Sequence, residues 1–393
     1  MKNRGRMRKS QGLLLVLLLL VLAGIFLLTS ARKEKEPAES RQEEAEEEEK
    51  GYGLSVSEEE VQEAQKDCRE KMNLVEDLYQ SAEKGTAQNA VISRETAKDM
   101  MEVLGETGAS VSPGSFWLNM KNGEDLKEFL EEAARGKSGE TVVYEIHTDG
   151  GLGRKKFCYD GENMYEIYVG AFWKEEGGMT FSEVTRTRLR KWEYTGKGWF
   201  LYEYCVPEPP EVTEIVNSYE MMRVREQEER LLELEERWLL PLGYQGSSLL
   251  AVDWTAENLS MVEPGSAFSG LYAVEHGQKP SVEQYPEGVP AEEFETLFTR
   301  YLPVSVSTLR QWADYDAGTG RYAVDLLGYG STPPGIFGTS VPEITGVTEN
   351  PDGTLILETD AVCEMAGQEA AMSHCITVRL EGDRIQYLGN RKK

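Results

Sequence analysis

Twice along this chain the spacing of apolar residues changes from a helical repeat to an alternating one. That double change restricts the fold more than any other feature. Val61, Ala64, Cys68, Met72, Val75, Tyr79 and Ala82 recur every three or four residues, one buried stripe on a helix of about seven turns. Ser57, with Glu60 three positions on, is a capping-box pattern at its start. Ser93 heads a second helix carrying Ala97, Met100, Met101 and Leu104 and stopped by Gly105. A third, over 125–135, buries Leu126, Phe129, Leu130 and Ala133 ahead of Gly136. Then the period becomes two: Val142, Tyr144 and Ile146 alternate with Val143, Glu145 and His147. Asp160-Gly161-Glu162-Asn163 and Thr195-Gly196-Lys197-Gly198 are turn sequences between strand-like runs at 157–159, 164–169, 184–194 and 199–205. Pro207, Pro209 and Pro210 close this unit.

The second half repeats the plan. A charged helix over 212–239 stops at Pro241, and helices over 266–276, 291–301 and 305–313 follow. Phe294, Leu297, Phe298 and Tyr301 form the inward face of the third of these four. Strands then return at 344–349, 354–363, 376–380 and 384–388. Helices first and antiparallel sheet afterwards is the α+β signature. The chain therefore reads as two α+β domains, 57–206 and 211–393. By analogy, each suggests a cone-shaped sheet wrapped on a long helix, as in nuclear-transport-factor-2-like and cystatin-like folds.

Ahead of these units, Gly12 to Leu28 carries no polar side chain. As a helix it spans about 26 Å, close to the roughly 30 Å of a hydrocarbon core, and Thr29, Ser30 and Ala31 extend it into the interface. Lys2, Arg4, Arg6, Arg8 and Lys9 precede it, so 1–11 is expected to stay cytoplasmic and everything after 31 to be exported. Thr29-Ser30-Ala31 is a mediocre cleavage site and Ile25 stands where a lipobox needs Cys, which favours an uncleaved anchor over 12–31. The stretch 32–56 reads as an acidic, extended linker, with eight glutamates between Glu36 and Lys50.

A formal net charge of −27 argues against nucleic acid as a partner, because phosphate binding needs a basic surface. Five cysteines without a C-x-x-C are too few and too scattered for a zinc site or a disulfide scaffold. In an oxidising compartment the expected pairing is Cys158 with Cys205 and Cys363 with Cys375, although spacing does not fix connectivity.

Catalytic motifs do not survive inspection. Gly136-Lys137-Ser138 lacks the leading glycine of a P-loop, since Glu131 stands there. Ser81-Ala82-Glu83-Lys84 has no companion S-D-N or K-T-G. Asp314-Tyr315-Asp316 puts Thr319 where a calcium loop needs glycine, and reads as a turn. His374 and Cys375 are strand neighbours that point to opposite faces. No catalytic residue, cofactor or metal is implied. The feature with most pull is the aromatic hairpin, where Trp192, Tyr194, Trp199 and Tyr202 stand beside Arg188 and Arg190. It reads either as two packed faces or as an aromatic-lined groove for a peptide or glycan, and the arginines either meet an anionic partner or pair with the chain's own glutamates.

Several segments look familiar together. They are Gly105-Glu106-Thr107-Gly108-Ala109, Trp192 to Trp199, Asp253-Trp254 before Asn258-Leu259, Glu292-Glu293-Phe294-Glu295, Tyr315-Asp316 before Thr319-Gly320, Asp352-Gly353-Thr354-Leu355 and Tyr387-Leu388-Gly389-Asn390. In these the chain, from about residue 70 onward, resembles an uncharacterised family of membrane-tethered proteins from gut Clostridia, a domain of unknown function. The resemblance implies location and layout and carries no activity. The expectation is a non-enzymatic extracytoplasmic protein held in the cell membrane by its N-terminal helix, acting through envelope proteins or wall polymer. The alternatives are a structural subunit of a conjugation- or secretion-type complex and, behind it, a wall-directed hydrolase.

Overall fold

The computed structural model describes residues 48–84, 91–214, 216–326 and 335–393. The expected basic segment, the anchor over 12–31 and the linker as far as 47 lie outside these residues. Among the described residues no helix is long and apolar enough to cross a membrane.

Helix α1 (Glu58–Ser81) starts where Ser57 accepts the Glu60 amide at 3.2 Å, and it buries Ala64, Cys68, Met72 and Val75. Helix α2 (Arg94–Gly105) is capped by Ser93 and buries the four residues expected of it. Helix α3 (Glu124–Ala133) likewise buries Leu126, Phe129, Leu130 and Ala133.

The first sheet comprises β1 (Ser110–Ser112), β2 (Gly139–Ile146), β3 (Leu152–Tyr159), β4 (Met164–Trp173), β5 (Met179–Phe181), β6 (Thr185–Tyr194), β7 (Trp199–Tyr204) and β8 (Tyr219–Arg223). Its order is β1-β2-β3-β4-β6-β7-β8, with β5 beside β4, and only the β1–β2 pairing is parallel. Strand β8 corrects the sequence reading, which made 212–239 one helix. Met222 pairs with Phe200 and Glu220 with Tyr202 on β7. Burying Met222 and covering the β7 edge outweigh the modest helix propensity of a charge-dense segment. Among the described residues there, only α4 (Glu229–Leu234) and a π-turn over Glu235–Leu239 are helical. The first sheet thus draws on residues beyond 206.

In a flat sheet β3 and β8, four steps apart, would be separated by about 19 Å. Lys155 Nζ on β3 nevertheless lies 2.7 Å from a Glu220 oxygen on β8. Phe157 on β3 meets Phe200 on β7 edge-on, with ring centres 5.2 Å apart. Such contacts require the sheet to curl into half a barrel. Helices α1 and α2 pack on its outer face over Ile146, Leu152, Ile167, Val169 and Ala171. The short α3 fills one end of the hollow against Val143, Phe157, Leu189, Phe200 and Met222. The expectation of a sheet wrapped on its longest helix is therefore reversed here: the apolar stripe of α1 matches the outer face, while the hollow has room for only ten helical residues.

The second half contains β9 (Trp254–Thr255), α5 (Pro264–His276), β10 (Val289–Pro290), α6 (Ala291–Tyr301), α7 (Val306–Trp312), β11 (Tyr315–Asp316), β12 (Arg321–Tyr322), β13 (Val341–Glu349), β14 (Thr354–Cys363), β15 (Gln368–Glu381) and β16 (Arg384–Lys392). Its main sheet runs β13-β14-β15-β16-β9, and β10, β12 and β11 form a small second one. The sequence-read helices over 266–276, 291–301 and 305–313 and the four strands appear close to where the pattern put them. His374 is a core residue, 2.7 Å from the Tyr244 hydroxyl and 2.6 Å from Asn390 Oδ1. The Asp316 carboxylate accepts from the Gly318 amide and the Thr319 hydroxyl, which makes the 314–320 stretch a turn.

All five cysteines are free thiols. The strand register explains why neither expected disulfide forms. Cys158 pairs with Tyr165, Tyr165 with Arg188, and the Arg188 carbonyl accepts the Cys205 amide, so the two are three strands apart along the sheet; Cys158 packs against the outer-face core, whereas Cys205 lines the cavity beside Tyr52. Cys375 sits opposite Glu358, five residues along β14 from Cys363, which separates that pair by about 17 Å. A disulfide needs Cα atoms within about 7 Å.

Candidate functional site

Three successive cations, Arg154, Lys155 and Lys156, occupy the middle of β3 and all are buried. Alternation sends Arg154 and Lys156 outward, to Asp67 at 2.9 Å on α1 and to Glu140 at 3.2 Å on β2. Lys155 is left pointing into the hollow. There its ammonium lies 2.7 Å from Glu220, 3.0 Å from Glu145 and 3.5 Å from the Tyr202 hydroxyl. Burial opposes its charge, but Glu145, Glu220 and Glu166 together override that and hold its pKa well above the usual lysine value.

One strand further on, Glu166 is buried, and both of its carboxylate oxygens accept from the Tyr204 hydroxyl at 2.9 Å. Burial pushes its pKa up, Lys155 and the Tyr204 hydrogen bond oppose, and Glu220 and Glu145 add repulsion; the outcome is a pKa of about 7. Tyr202 donates to Glu220 at 3.0 Å. The hollow thus has an apolar end under α3 and a polar end holding one ammonium among three carboxylates.

Two cavities open from that polar end. One of about 400 Å³ is lined by Tyr52, Glu166, Tyr168, Thr185, Thr187 and Tyr204. The other, of about 370 Å³, lies between the two halves, with Phe116, Trp117, Trp199, Met222, Arg223 and Pro342 in its wall. Glu145 and Glu220 line both. The Lys155 ion pairs are therefore the partition between the two spaces. Beside the second, Glu235 opens the π-turn fully buried and accepts from Trp117 Nε1 at 2.8 Å, from Gln227 Nε2 at 2.5 Å and from the Ile344 amide.

The hairpin singled out in the sequence divides among several environments. Trp192 and Tyr194 lie partly buried beside α3, in a shallow pocket shared with Leu130, Glu131 and Arg135. Tyr202 is in the hollow. Trp199 donates through Nε1 to Glu343 at 2.9 Å, across to the second half, under the Arg223 guanidinium. The arginines serve the chain itself. Arg188 donates to the carbonyls of Glu48 and Glu49 at 2.9 and 3.0 Å, and Arg190 pairs with Glu203 and Glu208. Arg186 stacks on Tyr165. Of these three arginines, Arg190 meets carboxylates of the chain, Arg188 meets main-chain carbonyls and Arg186 an aromatic face. No single aromatic groove brings the four rings together.

Sequence reasoning missed Lys155, Glu145, Glu166 and Glu220. The available signal was the Arg154-Lys155-Lys156 run inside a strand, where period two forces at least one cation onto each face. Among the described residues no group of three or more potential ligands is arranged to hold a metal. A family model, described as a family of unknown function and designated DUF6070, matches residues 61–392. No curated protein and no solved structure matches the chain. A match over so much of the sequence makes the chain a member of DUF6070, a family of unknown function.

Proposed function

We propose that the protein is a membrane-anchored, extracytoplasmic binding protein of the cell envelope, without enzymatic activity of its own. The apolar run Gly12 to Leu28 behind a basic cluster supports the anchor and its orientation. The pair of cavities meeting at Lys155 carries the binding reading: convergent polar groups on rigid strands, beside apolar and aromatic walls, are what a ligand site requires. The same groups speak against a hydrolase. Glu145 and Glu220 are both paired with Lys155, so these two do not form a carboxylate pair flanking an open position.

Crosslinking of the full-length protein in its native membrane, followed by mass spectrometry of the captured material, tests this. The expected capture is wall fragments or a single extracytoplasmic partner. Recurrent capture of several membrane proteins together with a secretion-type ATPase would replace the reading with a subunit of an envelope channel.

A further inference from the structure

Within the hollow, cations and carboxylates do not balance. Lys155 is committed to Glu145 and Glu220. Glu166 meets the Tyr204 hydroxyl with both oxygens, so its nearest partner is a neutral phenol. Three tyrosines, Tyr52, Tyr168 and Tyr204, share the cavity with it, and Thr185 and Thr187 contribute to the lining. Aromatic faces with a carboxylate at close range form the environment that attracts an organic cation, and a lysine-like ammonium has three hydrogens for carboxylate and hydroxyl acceptors. A metal ion is a poorer match, since among the described residues no ligand set for one is assembled. The volume of about 400 Å³ suits a small molecule or the end of a longer one.

We propose that this cavity binds a primary ammonium group, seated against Glu166 and Tyr204 and walled by Tyr52 and Tyr168. The proposal rests on reading the chain as a binding protein, and it names the ligand class. The groups facing Glu166 are Lys155 on β3, Glu145 on β2, Tyr168 on β4, Tyr202 and Tyr204 on β7 and Glu220 on β8; His147, 3.5 Å from the Tyr168 hydroxyl, has its pKa lowered chiefly by burial. With the free carboxyl titrating near pH 7, an arriving ammonium displaces a proton from Glu166. Affinity therefore rises with pH across the neutral range.

The test is isothermal titration calorimetry of the full-length protein in detergent with phenethylamine and, as its neutral counterpart, 2-phenylethanol. The amine is expected to bind at least tenfold more tightly than the alcohol. Its affinity should gain about tenfold between roughly pH 6 and pH 8, with proton release visible as a dependence of the heat on buffer. Glu166→Gln should flatten that pH profile and Tyr168→Leu should weaken the amine several-fold, with melting curves run on both variants to confirm folding. Equal binding of amine and alcohol, a flat profile in the unmodified protein, or no binding of either would overturn the assignment. Failure here alongside productive crosslinking sinks only the ammonium class, whereas failure of both experiments removes the binding reading as well.

Discussion

Lys155 and Glu166 sit one strand apart in the same hollow, yet their environments drive them in opposite directions. The lysine is buried with two carboxylates in contact and stays charged; the glutamate is buried with a phenol in contact and is held near neutrality. Removing the lysine leaves Glu145 and Glu220 facing each other without a cation. Lys155→Met should therefore cost about 3–5 kcal/mol, read from urea unfolding at neutral pH. Glu166 makes a different prediction. Its folded pKa of about 7 lies above the ordinary 4.5, so the stability it contributes is complete below about pH 4.5 and is lost as pH rises through about 7. Glu166→Gln should raise the melting temperature near pH 8 and do so much less near pH 5; an equal shift at both would show that Glu166 is not titrating in this range.

At the scale of elements, what the sequence made legible was local. The stripes of α1, α2, α3 and α6, the Ser57 and Ser93 caps and the turn at 195–198 follow from side-chain period and turn chemistry, which neighbouring residues dictate. Strand β8 was not legible, because a five-residue strand set in a charge-dense stretch has its pattern read only by the partner strand. Without β8, Glu220 had no address and the site had no second wall. The curl of the sheet was equally hidden, since it arises from contacts such as Phe157 with Phe200 that lie far apart in sequence. The turn between β6 and β7 gives the prediction at this scale. Gly198 has φ +93°, and a Cβ there would collide with the Arg225 side chain. Gly198→Ala should destabilise by roughly 2 kcal/mol or more by chemical denaturation, and an effect under about 0.5 kcal/mol would mean that the turn relaxes freely.

Across the whole molecule, the halves are joined by polar contacts from the tip of one hairpin. Thr195 reaches Glu369, Lys197 reaches Asp360 and Trp199 reaches Glu343. Covalent cross-links take no role among these contacts. Thiol titration of the denatured, unreduced protein should give five free thiols, matching the register that separates every expected pair. A value of three or one would show that pairing occurs and that the strands can shift to allow it.

The way the chain enters the fold has a mechanical meaning. Arg188 grips the carbonyls of Glu48 and Glu49, the Arg188 amide donates to the Gly51 carbonyl, and Tyr52 then bonds Glu211 at the rim of the tyrosine-lined cavity. Tension drawn through residue 47 would therefore load this short clasp before either sheet feels it. The clasp's bonds follow one another along the chain and so yield one by one, whereas the bonds of a β-ladder share a load. A pull on the chain ahead of residue 48 would thus break the Arg188 bonds to Glu48 and Glu49 first and reach Tyr52, at the cavity rim, only after them.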